Sequence, residues 1–162
     1  MYGRTFNYLV LNTGSNILSH KEVRQAISYA INREQIVNEV HGEKYIIADN
    51  PLEYGSYLYN KENAKYKYDQ NKAKQILQDN GWTYRQGDVW QKKQDYTTLR
   101  LRINLLVNSS NEARVKTAEI IKKNLEDIGI SVNIVNAKDW NYENSLKNKN
   151  YDMLITRSYC SD

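Results

Sequence analysis

The chain has 162 residues, 40% hydrophobic and 26% charged, which describes one ordinary globular domain, and no apolar run approaches the ~20 residues of a membrane span. Its 23 basic residues are interleaved with 19 acidic ones, as in Lys61 to Lys74 with Glu62 and Asp69, so the net charge of +4 and pI near 9.0 read as a solvated surface in preference to a nucleic-acid patch. The single cysteine, Cys160, excludes an internal disulfide framework and a Cys-based zinc site.

In chain order, Phe6 to Asn12 is a short apolar and aromatic run ended by Thr13-Gly14-Ser15-Asn16, the pattern of a buried strand leaving a sheet. No charged n-region or apolar h-region precedes it. This start fits either a cytoplasmic protein or an excised piece whose leader lies upstream, and a chain that begins and ends within strands is expected to be the latter. Ser19 and Glu22 have capping-box spacing, and Val23, Ala26, Ile27, Ala30 and Ile31 then fall on one helical face. Asn32 and Gln35 restart the chain into a second short helix, Glu34 to Val40, which His41-Gly42 is expected to stop.

From Glu43 to Tyr68 there is no sustained period, and tyrosine recurs at 45, 54, 57, 59, 66 and 68 around the only proline, Pro51. The stretch reads as one long ordered loop. The fourteen tyrosines beside one phenylalanine suit a ligand cleft, and they equally suit the amino-acid bias of an AT-rich genome. Asp69 caps a third helix that Asn80-Gly81 ends ahead of Trp82. Gly87-Asp88 turns the chain into Val89-Trp90, after which Leu99, Leu101, Ile103 and Leu105 alternate with polar residues, predicting one strand with one buried face. Ser109 and Glu112 form a second capping box before a helix with Val115, Ala118, Ile121, Leu125 and Ile128 inward and Gly129 at its end. A strand at Ile130 to Val135, a short helix at Trp140 to Leu146 and a buried strand at Tyr151 to Ile155 complete an α/β fold with a mixed sheet flanked by helices.

Catalytic chemistry needs a nucleophile, base and orienting group, or closely spaced metal ligands. His20 and His41 sit at helix ends and read as surface histidines, and Glu126-Asp127 lies on an outer helical face where solvation is the default role of charge. Cys160 has no histidine placed by sequence to activate it and reads as a quiet, partly buried thiol. A thiol enzyme and a nucleic-acid module therefore stand as the competing function classes. No catalytic residue, cofactor or metal ligand is expected.

Several segments together resemble the extracellular solute-binding proteins of family 5, the dipeptide-, oligopeptide- and nickel-binding components of ABC transporters. They are Leu9-Val10-Leu11-Asn12-Thr13, Glu22-Val23-Arg24-Gln25-Ala26-Ile27-Ser28-Tyr29-Ala30-Ile31-Asn32-Arg33, Tyr68-Asp69-Gln70-Asn71-Lys72-Ala73-Lys74 through Gly81-Trp82, Ala118 through Val132, and Tyr151-Asp152-Met153-Leu154-Ile155. Gln70 and Asn32 depart from that family's usual proline and aspartate, and both keep helix-starting chemistry. The resemblance implies that residues 1–162 are a single partial lobe of a two-lobed periplasmic-binding-protein-like type II fold, the first part of the second lobe. It also implies a role outside the membrane, in the periplasm or as a cell-surface lipoprotein, with ABC permease subunits as partners and membrane association only through a lipid anchor outside this segment.

The ligand implied is a peptide, or a small solute such as nickel or a nickel chelate. In the oligopeptide branch Tyr159-Cys160-Ser161-Asp162 stands where an aspartate receives the peptide amine, which makes Asp162 the candidate acceptor and Tyr159 an aromatic wall. In the nickel branch the matching residues are Arg157 and Tyr159, and the match weakens at Cys160-Ser161.

Overall fold

The computed structural model describes residues 4–40, 45–48, 67–148 and 151–160. The chain alternates strands and helices: β1 (Arg4–Leu11), α1 (Lys21–Ala30), α2 (Arg33–Glu39), β2 (Tyr45–Ala48), α3 (Gln70–Asp79), β3 (Gln91–Gln94), β4 (Thr97–Arg100), β5 (Arg102–Asn108), α4 (Glu112–Asp127), β6 (Ser131–Ala137), α5 (Asp139–Lys147) and β7 (Met153–Cys160). β1, β2, β5, β6 and β7 form a five-stranded sheet in the order β2-β1-β7-β5-β6, and β3 with β4 forms a separate hairpin. β1 runs parallel to β2 and antiparallel to β7, while β5 is parallel to both β6 and β7, so the sheet is mixed as expected.

Strand alternation sends neighbouring side chains to opposite faces, and here both faces are covered. Leu9, Leu11, Ile103, Leu105, Val107, Met153 and Ile155 meet apolar residues of α1 to α4 in one cluster. Val10, Leu106 and Leu154 meet Tyr142 of α5 in a second, smaller one. α1 buries Val23, Ala26, Ile27 and Ala30, one helical stripe, and α4 buries Thr117, Ala118, Ile121, Asn124 and Leu125. Asn124 ties three helices together, since its Oδ1 accepts from Asn32 N (2.9 Å), its side-chain amide faces Gln35 Oε1 (3.4 Å), and its carbonyl accepts from Gln70 Nε2 (3.4 Å).

The helix ends correct two expectations and confirm two. Asn32 accepts from Gln35 N at 3.1 Å and Asp69 from Lys72 N at 2.9 Å, as expected of Asx caps. Ser19 does not cap α1, whose N-cap is His20 without a side-chain cap, because the Ser19 hydroxyl donates instead to Asn16 O at 3.1 Å. Arg24 Nη1 ties down the chain ahead of α1 by donating to Leu18 O and Ser19 O at 2.9 and 3.0 Å. α4 is capped by Asn111, which accepts from Arg114 N at 3.1 Å, and not by Ser109, which lies too far ahead of the first helical residue. α3 and α4 both end in Schellman geometry at a glycine of positive φ. Trp82 N donates to Leu77 O (3.0 Å) past Gly81, and Ile130 N to Leu125 O (3.0 Å) past Gly129.

The single strand expected across Leu99 to Leu105 is two, because the chain breaks at Leu101 between the hairpin and the main sheet. β5 is also buried on both faces, through Leu106 as well as Ile103, Leu105 and Val107. The expected long loop from Glu43 contains β2 at Tyr45–Ala48, and His41, Gly42, Pro51 and the tyrosines at 54 to 66 lie outside the described residues. His20 is half-buried rather than a free surface group, packed edge-on against Trp82 at 5.7 Å with Nδ1 3.7 Å from Glu22. Among the described residues no helix is long and apolar enough to cross a membrane.

One residue fastens the sheet at the start of β7. Asp152 accepts from Ser15 Oγ and Asn104 N, both at 2.7 Å, while its backbone exchanges bonds with Asn12 N (2.8 Å) and Asn104 O (3.2 Å). The chain leaving β1, the body of β5 and the start of β7 thus converge on a single residue.

Candidate functional site

Strand order locates the site. From β5 the chain crosses through α4 to β6 on one side, then returns through α5 to β7 on the other side of β5. The two crossover helices cover opposite faces, α4 in the larger apolar cluster and α5 in the smaller. Ligands of open α/β sheets bind outside the carboxyl ends of the strands, which makes the carboxyl edge where β5 and β7 lie side by side the candidate crevice. The β5–β7 register supports this, since it pairs Leu105 with Met153 and Leu106 with Leu154, while β7 continues along β1 to the Arg4–Cys160 pair. Beyond Leu154, β7 and β5 are not registered with each other.

The β5 side of this crevice is Asn108-Ser109-Ser110-Asn111, a polar turn that folds on itself. Asn108 Oδ1 accepts from Ser110 N at 2.9 Å, Ser109 N donates to Ala137 O at 3.0 Å, and Asn111 N donates to Asn108 O at 3.1 Å. Ser110 is exposed and its three neighbours are half-exposed, so hydroxyl and amide groups face outward from a fixed backbone. Arg114, in the first turn of α4, has an enclosed Nε with no hydrogen-bond partner among the described residues.

The α5 side contributes Tyr142, buried in the smaller cluster, whose hydroxyl donates to Ile155 O at 3.2 Å. Burial pushes its phenol above the usual tyrosine range, against the pull of a Thr156 hydrogen bond and the Arg114 charge, with Glu143 adding to the rise. Tyr151 is raised for the same first reason, burial, and then by its neighbour Tyr142. The edge therefore offers hydroxyls, amides and a guanidinium on a rigid frame, which is equipment for holding a polar solute. Among the described residues no group of three or more His, Cys, Asp or Glu is placed to hold a metal ion.

Of the residues expected from sequence, Arg157 and Tyr159 fall in the carboxyl half of β7, registered opposite Asn7 and Thr5 of β1. Asp162 lies outside the described residues. The strand order thus brings the Arg157–Tyr159 backbone and the Asn108–Asn111 turn to the same end of the sheet. Sequence reasoning read that turn only as a helix start, although four small polar residues in a row at a strand-to-helix junction were a usable signal. For Tyr142 and Thr156 there was none, because their meeting depends on the packing of α5 over β7.

The sequence model of Bacterial extracellular solute-binding proteins, family 5 Middle, matches residues 2–161. The chain is 31% identical to the oligopeptide-binding protein AppA of Bacillus subtilis over 131 residues, covering 79% of this chain and 23% of that protein. It is 26% identical to the nickel-binding periplasmic protein of Escherichia coli over 152 residues, covering 93% of this chain and 28% of the other. The solved structure of B. subtilis AppA with a nonapeptide superimposes with a TM-score of 0.76 at 24% identity, over 98% of this chain and 32% of that one. The chain spans about a quarter of the length of these curated relatives.

Proposed function

Because the chain belongs to the bacterial extracellular solute-binding proteins of family 5, we propose that it is part of the substrate-binding component of an ABC importer, taking peptides outside the membrane and passing them to the permease. Residues 1–162 form one wall of the cleft, within the second of two lobes, and the ligand lies along the carboxyl edge of β5 and β7. The observation that carries this reading is the 31% identity to an oligopeptide-binding protein, joined to a sheet in which β5 and β7 lie side by side and parallel at that edge.

In this reading Asp162 accepts the peptide amine and Tyr159 walls it. A charge-assisted hydrogen bond of that kind contributes about 1.5–3 kcal/mol once desolvated. Two lobes closing on the ligand supply that desolvation. The protein works outside the cytoplasm, in the periplasm or at the cell surface, held by a lipid anchor.

A nickel or nickel-chelate ligand is the second reading, favoured by the match to a nickel-binding periplasmic protein over 93% of this chain, and there Arg157 and Tyr159 are the contacts. Calorimetric titration of the intact protein separates the two. We expect short peptides to bind, N-acetylated peptides to bind at least tenfold more weakly, and Asp162→Asn to erase that difference. Tight binding of nickel–histidine with no response to any peptide would replace the first reading with the second.

A further inference from the structure

The β3–β4 hairpin and the segment ahead of it form a small sheet near the amino-terminal end of β5, the end of the molecule opposite the proposed peptide edge. Thr83 and Gln91 exchange two backbone hydrogen bonds of 2.9 Å, Gln91 faces Arg100 across the hairpin, and Lys93 faces Thr98. Side chains directly opposite each other, or two apart along a strand, share a face. Thr83, Gln91, Lys93, Thr98 and Arg100 therefore line one surface, with Arg85 two residues past Thr83. That surface floors a concavity of about 840 Å³, within the size range of small-molecule sites.

The other face of the hairpin packs on the body of the molecule, with Lys92 also reaching the edge of the concavity. Lys92 Nζ donates to Asn80 O at 2.9 Å, lies 4.0 Å from Glu22 and sits 6.0 Å from the centre of the Trp82 ring, while Leu99 packs against the core. On the open face the charges do not balance. Arg85, Lys93 and Arg100 stand there, and among the described residues Asp88 at the rim is the only carboxylate in the lining. Asp88 is divided between Arg100 at 3.6 Å and Arg102 at 4.0 Å. Arg85 and Lys93 are exposed and make no ion pair among the described residues. Tyr84, stacked on Trp90 at 5.3 Å and still 45% exposed, forms a side wall.

A concave face rich in donors and short of carboxylates recognises an anion, and guanidinium and ammonium groups lining one concavity suit one with several charged oxygens. We propose that this concavity binds a multiply charged phosphate anion through Arg85, Lys93 and Arg100. A soluble organic phosphate and the headgroup of an anionic lipid present the same chemistry. The site is independent of the peptide edge, and either assignment stands if the other fails.

The test uses the intact protein and the variant R85A/K93A, whose exposed positions leave the core untouched and whose melting curve verifies the fold. Each is titrated with pyrophosphate by calorimetry and sedimented with phosphatidylglycerol vesicles, using phosphatidylcholine vesicles as the blank. Binding of either probe that weakens at least tenfold in the variant, and falls as salt rises, supports the site. A response to pyrophosphate alone identifies a free anion as the ligand, and a response to vesicles alone identifies the headgroup. Absence of binding to both probes, or equal binding by the parent and the variant, overturns the proposal.

Discussion

The two ends of β7 are built on opposite plans. At its start, Asp152 satisfies Ser15 and Asn104 with one carboxylate while its backbone closes on Asn12 and Asn104, so the polar groups that meet there are consumed internally. At its far end β7 leaves its register with β5, and the facing Asn108–Asn111 turn keeps side chains exposed or half-exposed. The difference teaches where to look for function within a motif. Tyr151-Asp152, one of the segments that carries the family resemblance, fastens three strands and is distant from the proposed ligand edge, so its role is architectural.

The largest expected effect tests that assignment. Asp152→Ala leaves Asn104 N and Ser15 Oγ without their acceptor, and losing hydrogen bonds to a charged group lowers stability by about 3 kcal/mol. The urea midpoint should fall accordingly, with ligand affinity unchanged in the protein that remains folded. Any loss of affinity beyond the loss of folded protein would blur the contrast between the two ends.

A somewhat smaller loss is expected at Gly129, the turn that ends α4 ahead of β6. Its φ is +98°, and an added Cβ would stand 2.6 Å from Tyr84 Cε2 and 3.0 Å from Trp90. Gly129→Ala combines backbone strain with a collision, at a cost of about 2 kcal/mol. Denaturation of the variant should show it, together with a change in the environment of Trp90, whose Nε1 donates to Ile128 O at 2.6 Å.

Tyr142→Phe, at the open end, removes the hydroxyl's bonds to Ile155 O and Thr156 and should cost about 1 kcal/mol. It has a second readout in pH. Burial raises the Tyr142 pKa in the folded state, so the unfolded chain ionises first. The stability held by the neutral phenol is intact below about pH 10 and drains away as pH climbs from there through the folded value. Stability curves measured between pH 8 and 11 should fall less steeply for Tyr142→Phe than for the parent, with Tyr151 contributing to the slope that remains.

Much of the fold was legible because its signals are local. An Asx residue immediately before a helical stripe, as at Asn32 and Asp69, both caps the helix and announces it, and glycine after the stripe marks the Schellman ends at Gly81 and Gly129. Serine misled at 19 and 109, since in each case a residue nearer the first helical turn was the cap. The run Leu99 to Leu105 read as one strand because its alternation survives the break at Leu101, passing from hairpin to sheet without a change of phase. β2 was invisible for a different reason, being four residues at the sheet's edge whose strand partner among the described residues is β1 alone. The ligand edge belongs to this second kind. It arises where β5 and β7 part, a fact of strand order that no window of local sequence contains.

The unequal lengths of two ladders have a mechanical consequence. β1 and β7 stay paired from Leu11–Met153 to Arg4–Cys160, whereas β5 holds β7 only at Met153 and Leu154. From Ile155 to Cys160, about 20 Å at the usual rise, β7 is carried by β1, which β2 in turn backs at Asn7 to Val10. Strain between β5 and this ribbon would then be taken up beyond the buried Ile155, leaving the Asp152 clamp at rest.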